Sequence, residues 1–343
     1  MNRFSNSVSS GRCYVIAEAG LNHNGSLDMA MRLIDVASVA GVDAVKFQKR
    51  TVDKLAIGSV LDAPDDRFPE FGKTYREIRE HLEFTLDEYR ALKAYSEAKG
   101  LDFLVTAFDT EAVDFLEELG IDVYKLASHS LTNPELLDYI ARLPKTVILS
   151  TGMAELGEID AAVAAFSQRE ATLALMHCVS AYPTPPAECN LSMMGVLADR
   201  YGLTVGYSGH ELGYVPTLVA VVMGAALIER HFTLDKTLPG FDHKMSLSPD
   251  ELIAMVRDIR QIPAIKGAGR KAVSDTEWIT RRKYHVSMAS AAAIPAGAVL
   301  TAEMVTWRNP GTGIPAKDAH TVLGRRAKSS IGADQLLSAD MFE

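Results

Sequence analysis

The chain has 343 residues, of which 48% are hydrophobic and 23% charged, and it carries a net charge of −9. This composition is typical of a globular protein with one large domain and a small second one. The acidic balance argues against a general affinity for nucleic acids or membrane surfaces. The cysteines (Cys13, Cys178 and Cys189) form no CxxC pair and no zinc-binding spacing. With no apolar segment of signal-peptide type, we expect a cytoplasmic protein with reduced thiols.

Residues 1–12 are rich in Ser and Asn, and we expect a flexible N-terminal tail. Eight short apolar or β-branched segments follow, and amphipathic stretches lie between many of them. The segments are 15–20, 43–48, 102–108, 123–128, 146–152, 173–179, 204–210 and 227–233. The amphipathic stretches include Leu27–Ala40, Leu86–Lys99, Thr110–Leu119 and Glu155–Ser167.

Strands that alternate with helices form parallel sheets with right-handed crossovers. Eight such units in a segment of this length predict an α/β fold, a (β/α)8 TIM barrel, over residues 13–265. A doubly wound open sheet is the alternative, but no Gly-rich dinucleotide-binding turn follows the first segment.

The connection at residues 49–85 is too polar and too interrupted for a plain crossover helix. It forms either a lid over the barrel mouth or a mobile surface insertion, and we favour the lid.

The C-terminal region contains a short internal repeat. Residues 294–304 (IPAGAVLTAEM) match residues 331–341 (IGADQLLSADM) at an offset of 37, so that Ile294 aligns with Ile331 and Leu300 with Leu337. Two copies of one turn and short helix predict a small pseudo-symmetric domain at 284–343. Residues 266–283, rich in Lys, Arg and Gly, are the expected linker.

Polar side chains at the ends of the predicted strands are the candidate site residues, because strand C-termini of a barrel converge on one face. They are Glu18, Lys46, Gln48, Thr106, Lys125, Ser128, Ser150, Thr151, His177, Ser208, His210 and residues 229–233, which include His231. Two lysines in a barrel mouth need anionic partners, so Lys46 and Lys125 indicate a phosphate or a carboxylate ligand. The alternative is that they form structural ion pairs with Glu18 or Glu229.

Two histidines close the last two strands, and they should therefore be neighbours in space. Adjacent imidazoles at a solvent-facing mouth suit a divalent metal such as Mn²⁺, Zn²⁺, Fe²⁺ or Mg²⁺. The alternative is a hydrogen-bonded pair of core histidines. Tyr182 and Asp242, on loops after the sixth and eighth strands, are candidate partners for a polyol substrate.

The chain resembles the sialic acid synthase (nonulosonic acid synthase) family along nearly its whole length. An ordered series of motifs carries the resemblance: AEAGLNHNGS, VKFQ, TAF, YKLAS, LSTGM, HCVSAYPTP, GYSGHE, ERHFTLDKTLPGFDHKMSL and PGTGI with LGRR. The resemblance implies a TIM barrel followed by an antifreeze-like SAF domain. It also implies condensation of phosphoenolpyruvate with an N-acetylmannosamine-like aldose, in a domain-swapped homodimer.

By the same resemblance, His210 and His231 hold the metal, with Mn²⁺ expected first and Mg²⁺ or Co²⁺ as alternatives. Phosphoenolpyruvate is held by the two lysines and by nearby polar groups: Lys46, Lys125, Gln48, Thr106, Ser128 and Ser208. Glu18 binds and orients the open-chain sugar, and Tyr182, Asp242 and Arg308 contact it.

Three positions depart from the family pattern. Ser130 occupies the place of an acid, Ser180 that of an asparagine, and Asn309 that of the arginine before the Pro-Gly pair, with Arg308 one residue earlier. On an extended segment such a shift turns a side chain to the other face. A diacetamido (legionaminic-type) acceptor and a catalytically weakened sugar-binding homologue therefore remain as alternatives. The SAF domain argues against synthases of the DAHP and KDO 8-phosphate type.

Overall fold

Eight parallel strands form a closed barrel in the computed structural model, which describes residues 3–343. The strands pair in chain order, and the first closes on the last. They are β1 (Tyr14–Gly20), β2 (Ala44–Lys49), β3 (Asp102–Ala107), β4 (Val123–Leu126), β5 (Thr146–Ser150), β6 (Thr172–Cys178), β7 (Thr204–Gly209) and β8 (Leu227–His231). Each strand overlaps one predicted segment, so the (β/α)8 prediction is confirmed.

Helices surround the barrel and begin where the sequence supplies capping groups. Ser26, Thr85 and Asp109 each accept a hydrogen bond from the backbone N–H three residues later. The helices of this unit are α1 (Arg3–Ser9), α2 (Leu27–Ala40), α3 (Val52–Leu55), α4 (Gly58–Leu61), α5 (Tyr75–His81), α6 (Leu86–Ala98), α7 (Thr110–Glu118), α8 (Pro134–Ala141), α9 (Leu156–Ala165), α10 (Met193–Tyr201), α11 (Val215–Val222) and α12 (Pro249–Lys266). Within residues 3–343, none is long and apolar enough to cross a membrane.

Side chains that face the barrel interior change from apolar to polar along the strands. On β1, Ile16 lies in an apolar interior cluster and Glu18 lines a cavity; on β5, Ile148 and Ser150 do the same. This follows from the two-residue period of a strand. The apolar cluster comprises Phe4, Tyr14, Ile16, Ala44, Leu104, Val123, Ile148, Ala174, Met176 and Leu227. The polar side chains are thereby gathered at the carboxyl ends of the strands.

The N-terminal segment differs from the flexible tail we expected for residues 1–12. Residues 3–9 form α1, whose Phe4 is 5% exposed and packs edge-on against Tyr14, with ring centroids 5.3 Å apart. A single aromatic residue buried in the interior cluster orders a segment whose other residues are mostly polar. Residues 1–2 lie outside the described part of the chain.

The long connection after β2 covers part of the barrel mouth. It contains α3, α4 and α5, and it packs through Ile78 and Leu82 against Leu21 of the first loop. Leu55 and Tyr75 line the cavity at the carboxyl ends of the strands. The structure thus favours the lid over a separate surface insertion.

A second compact unit spans Gly267–Glu343. It contains α13 (Asp275–Tyr284) and an antiparallel pair, β9 (Ser287–Ser290) and β10 (Val305–Arg308). The segment expected to be a linker, 266–283, therefore includes most of a helix. A capping box between Ser274 and Glu277 starts that helix.

The internal repeat of the second unit is visible as a reciprocal pair of hydrogen bonds. The N–H of Ile294 donates to the carbonyl of Ile331, and the N–H of Ile331 donates to the carbonyl of Ile294, both at 2.9 Å. Leu300 and Leu337 are buried in the same small core. The two aligned copies thus occupy equivalent positions around one shared contact.

Candidate active site

A cavity of about 280 Å³ lies at the carboxyl ends of the barrel strands. It is lined by every residue with a predicted catalytic, substrate-binding or metal-binding role except Arg308: Glu18, Lys46, Gln48, Thr106, Lys125, Ser128, Tyr182, Ser208, His210, His231 and Asp242. Strand register brings these side chains together, since Glu18 is level with Lys46 on one side and with His231 on the other.

The two predicted lysines are buried and share the carboxylates of Glu18 and Glu229. Lys46 Nζ lies 2.9 Å from Glu18 Oε2 and 3.5 Å from Glu229 Oε2, and it donates to Thr106 Oγ1 at 2.6 Å. Lys125 Nζ lies 3.8 Å from Glu229 Oε1 and donates to Ser150 Oγ at 2.6 Å. The structure thus contains the ion pairs with Glu18 and Glu229 that were the alternative to ligand binding by the lysines. Both lysines nevertheless line the cavity.

The two buried carboxylates differ in their affinity for protons. Burial raises the pKa of Glu18 to about 7, because one lysine offsets only part of the desolvation and the charge of Glu229 adds to it. Burial acts in the same direction on Glu229, but Lys125 and Lys46 together outweigh it and lower its pKa to about 2. Lys46 is nearer to Glu18, yet Glu229 faces both lysines, which explains the opposite shifts. Glu18 can therefore hold a proton near neutral pH beside an ionised Glu229.

The two predicted metal ligands are neighbours, with ring centroids of His210 and His231 5.4 Å apart. His210 Nδ1 is hydrogen-bonded to the carbonyl of Val179 at 2.9 Å, which leaves Nε2 free. His231 Nδ1 is buried without a hydrogen-bond partner and lies 3.7 Å from Asp242 Oδ2. Burial lowers the pKa of His231 to about 4, so this imidazole is neutral at physiological pH.

These features fit a divalent cation held by two imidazoles. A neutral ring with an unpartnered buried nitrogen is the form in which histidine binds metals. No group of three or more His, Cys, Asp or Glu side chains in residues 3–343 is arranged to hold an ion. The remaining positions would therefore be filled by water and substrate.

A buried ion pair, which sequence reasoning missed, lies directly beside the two histidines along the chain. Arg230 Nη1 is 2.7 Å from Glu211 Oε1, and Arg230 Nη2 donates to the Glu211 carbonyl at 2.7 Å. Tyr207 and Thr217 also donate to the Glu211 carboxylate, at 2.9 and 3.0 Å. Because Glu211 follows His210 and Arg230 precedes His231, this network ties the ends of β7 and β8 together. Their signal in the sequence is a charged residue directly adjacent to each histidine, Glu211 after His210 and Arg230 before His231.

A close approach of the backbone fixes Ser128 at the edge of the cavity. The N–H of Gly152 donates to Ser128 Oγ at 2.8 Å, and a Cβ on Gly152 would lie 2.4 Å from Ser180 Oγ. Ser180 lines the cavity. Ser130, where the family pattern has an acid, is buried two residues further on and does not line it.

Asn22 and Asn24, in the loop after β1, connect that loop to the segment after β8 by hydrogen bonds. Asn22 Nδ2 donates to the Phe232 carbonyl at 2.7 Å and to Ser246 Oγ at 2.9 Å. His243, which the sequence places beside Asp242, binds Thr233 and Asn24 through its two ring nitrogens, at 2.7 and 3.0 Å. These residues position the loop that carries Asp242 at the cavity.

Two arginines of the lid side, also missed by sequence reasoning, line the cavity. They are Arg50, which directly follows β2, and Arg79 on α5. Burial, together with the charge of Arg79, lowers the pKa of Arg50 to about 10. Neither lies in a periodic pattern that would have distinguished it from a surface arginine.

Arg308 lies in the second unit and is exposed. Its Nε is 2.9 Å from Asp334 Oδ1, and its side chain is 62% exposed. Its predicted role as a sugar contact stays a prediction.

Models of two protein families match the chain. The NeuB family matches residues 33–271, and the SAF domain matches residues 286–343. The second match confirms the SAF domain expected after the barrel.

Full-length relatives and a solved structure are similar to the chain. N,N′-diacetyllegionaminic acid synthase of Legionella pneumophila is 36% identical over 98% of this chain and 96% of its own length. N-acetylneuraminate-9-phosphate synthase of Homo sapiens is 33% identical over 96% of this chain and 93% of its own. The crystal structure of N-acetylneuraminic acid synthetase from Leptospira borgpetersenii covers 78% of this chain and 90% of its own at 35% identity, with a TM-score of 0.66. A barrel of this architecture, the matching family models and similarity over almost the whole chain together show that the protein belongs to the NeuB family.

Proposed function

We propose that the protein is a nonulosonic acid synthase that condenses phosphoenolpyruvate with an N-acetylmannosamine-like aldose, giving a sialic-acid-type 3-deoxy-2-ulosonic acid and phosphate. The observation that carries the proposal is the pair of buried lysines, which line one cavity together with the two adjacent imidazoles of His210 and His231. Membership of the NeuB family and relatives named as synthases of this class support it.

In this proposal Lys46 and Lys125 bind the anionic groups of phosphoenolpyruvate, and hydroxyl groups complete its site. Thr106, Ser128 and Ser208 surround the two lysines, with Gln48 nearby. An incoming anion would replace Glu229 as the partner of Lys125, whose 3.8 Å contact is the longest in the network. The lysines would then stabilise negative charge on the departing phosphate.

Glu18 is the proposed acid–base group for the acceptor sugar. Its pKa of about 7 allows it to donate a proton from Oε2 to the oxygen of the aldehyde as C3 of phosphoenolpyruvate attacks. The resulting carboxylate can accept a proton from the water that adds to C2, and the tetrahedral intermediate then expels phosphate. This cycle offers a substitute for the acid that Ser130 replaces.

His210 and His231 would hold a divalent cation, with Mn²⁺ as our first expectation, and the cation supplies Lewis-acid polarisation of the sugar aldehyde when bound. Tyr182, whose ring centroid is 4.3 Å from that of His210, and Asp242 would contact the sugar hydroxyls. The closeness of Tyr182 to His210 and of Asp242 to His231 supports this role.

We further propose a domain-swapped homodimer in which the SAF domain of one chain covers the barrel of its partner. Arg308, exposed on β10, would then reach the sugar of the other subunit. Light scattering at assay concentration tests this arrangement, and a monomer would contradict it. The cytoplasmic location also stays a prediction.

Release of phosphate from phosphoenolpyruvate with Mn²⁺ tests the function. The acceptors are N-acetylmannosamine, its 6-phosphate and 2,4-diacetamido-2,4,6-trideoxymannose, and a parallel reaction with chelator tests the metal. Release with any acceptor supports the synthase. Release with the diacetamido sugar alone would favour the legionaminic branch, which the name of the Legionella relative supports. No release with any of them would favour the sugar-binding homologue suggested by Ser130 and Asn309.

A further inference from the structure

A second cavity adjoins the active-site cavity under the lid. It has a volume of about 490 Å³ and shares five lining residues with the first: Leu55, Tyr75, Arg79, His129 and Phe241. We call this space the annex. Its lining combines aromatic rings with cationic groups, which is a chemistry that neither the lysines nor the histidines of the main cavity supply.

Arg79 is positioned at the boundary between the main cavity and the annex. Its guanidinium carbon lies 4.3 Å from the ring centroid of Phe241 and 4.9 Å from that of Tyr75. Its Nε and Nη1 are buried and have no hydrogen-bond partner. Among residues 3–343, no carboxylate lies within 4.0 Å of this guanidinium. Asp65, on the same side of the lid, is bound by Arg67 at 2.9 Å.

Arg50 lines the main cavity from the end of β2, on the side of the lid. It is only 6% exposed, and its guanidinium carbon lies 4.0 Å above the ring of Phe108. Its Nη1 is buried without a hydrogen-bond partner. The nearest acid, Glu83, is 3.9 Å from that atom and is bound more closely by Lys49, at 2.7 Å.

Two guanidinium groups with unpartnered buried N–H donors, of which Arg79 has no carboxylate within 4.0 Å and Arg50 only the distant Glu83, are costly to leave without an anion. Stacking on aromatic rings compensates part of that cost, and it leaves the planar edge of each group available. Such an edge matches the geometry of a phosphate or a carboxylate. The main cavity already offers two ammonium groups to phosphoenolpyruvate, so the arginines are in excess for that substrate.

The position of the two arginines in the barrel indicates which substrate carries the anionic group that they bind. Phe108, which packs against Arg50, and His129 follow β3 and β4, which lie across the ring of strands from β7 and β8 and their two histidines. Phe241, which stacks on Arg79, follows β8. Both arginines belong to the connection after β2, so a sugar whose aldehyde is at the histidines can reach them with its far end.

From this arrangement we propose that Arg50 and Arg79 form an anion subsite for a phosphate group at the end of the acceptor sugar remote from its aldehyde. The proposal rests on the synthase function and specifies its acceptor as a phosphorylated aldose. The same chemistry could serve the phosphate of phosphoenolpyruvate, and the experiment separates the two sources.

Steady-state kinetics with N-acetylmannosamine and its 6-phosphate compare wild type with Arg79→Met. We expect wild type to show a KM for the 6-phosphate at least about tenfold below that for the unphosphorylated sugar, since charge-assisted bonds are the strong ones. Arg79→Met should remove that difference and leave the KM for phosphoenolpyruvate within about twofold. Arg79→Lys, which keeps a cation, should restore part of the preference.

The matched control is Arg76→Met on the same helix, because Arg76 pairs with Asp53 and Asp62 and lines neither cavity. It should leave all three KM values unchanged. An equal or better KM for the unphosphorylated sugar in wild type would overturn the proposal. A rise in the KM for phosphoenolpyruvate alone in Arg79→Met would also overturn it and assign the arginines to that substrate.

Calorimetric binding of N-acetylmannosamine 6-phosphate, without phosphoenolpyruvate, distinguishes failure of the subsite from failure of the function. Should no acceptor support phosphate release, the synthase proposal fails. Weaker binding of the 6-phosphate to Arg79→Met than to wild type and Arg76→Met would still support the subsite. Equal binding to all three proteins, or none to wild type, would overturn it.

Discussion

The ammonium group of Lys46 lies 2.9 Å from a carboxylate oxygen of Glu18, which is level with it on the neighbouring strand. Lys46 also lies within 3.5 Å of Glu229, so two buried acids compete for it. Lys125 adds a second positive charge on the side of Glu229 only. Fewer positive charges therefore stabilise the ionised form of Glu18 than that of Glu229, and Glu18 holds its proton more strongly.

The pH dependence of stability should reveal this acid. The pKa of Glu18 is raised to about 7 from an ordinary value of 4.5, so the folded state favours its protonated form. Its contribution to stability is complete below about pH 4.5 and is lost as the pH rises to 7. Urea denaturation of metal-free protein should therefore show Glu18→Gln gaining about 2 to 3 kcal/mol relative to wild type between pH 5 and pH 8.

Glu97→Gln, which removes an exposed acid paired with Lys93 at 2.7 Å, is the control for this measurement. A difference between Glu18→Gln and wild type that stays constant over the same pH range would contradict the assignment of a raised pKa to Glu18.

Loss of either candidate metal ligand should abolish turnover and leave the fold intact. His231 Nδ1 makes no hydrogen bond, and His210 makes one to a backbone carbonyl. We expect His210→Ala and His231→Ala each to lose Mn²⁺ binding, measured by electron paramagnetic resonance, with a change in unfolding free energy of about 1 kcal/mol or less. His320→Ala, at an exposed position, should bind Mn²⁺ like wild type. Normal Mn²⁺ binding by either active-site variant would rule out that histidine as a ligand.

The effects of substitutions at Arg230 and Glu211 on the free energy of unfolding should not be additive. Arg230→Met leaves Glu211 buried without its cation, and we expect a loss of about 3 to 5 kcal/mol in urea denaturation. Adding Glu211→Gln to Arg230→Met should recover part of that loss, because the unpaired charge is removed. Strictly additive effects of the two changes would show that the residues act independently.

A methyl group on Gly152 should disturb the proposed phosphoenolpyruvate site more than the fold. The added Cβ would lie 2.4 Å from Ser180 Oγ and 2.8 Å from Ser128 Oγ, so both hydroxyls must move. We expect Gly152→Ala to raise the KM for phosphoenolpyruvate at least about tenfold. Gly157→Ala in α9, with no atom within 4 Å of the new group, is the control and should be neutral or slightly stabilising. Equal kinetics for the two variants would remove Ser128 from the proposed site.

The barrel and the site residues on its strands could be predicted, because both follow from the periodicity of the strands. Glu18, Lys125 and Ser208 each end an apolar strand, and parallel strands must bring those ends together. No local pattern marks Arg50 or Arg79 in the same way. Arg79 reaches the cavity only through the packing of a seven-residue helix on Leu21 and Phe241, which is a tertiary contact.

The N-terminal helix could not be predicted from the sequence for a related reason. Its Ser- and Asn-rich composition predicts a tail, and one residue, Phe4, decides otherwise by packing against Tyr14. That contact stabilises the segment only because Phe4 is buried in the apolar cluster inside the barrel. This cluster forms only when the eight strands have come together. Composition averaged over a window cannot register a single anchoring side chain.

The apolar layer that runs from Tyr14 to Leu227 across the barrel has a kinetic consequence. It fills the barrel interior on the side away from the carboxyl ends of the strands, where the cavity lies. Phosphoenolpyruvate and the sugar are therefore expected to enter, and both products to leave, through the same opening at the carboxyl ends of the strands. A molecule bound near that opening would then obstruct the exchange of any other, so that an excess of the sugar is expected to slow turnover.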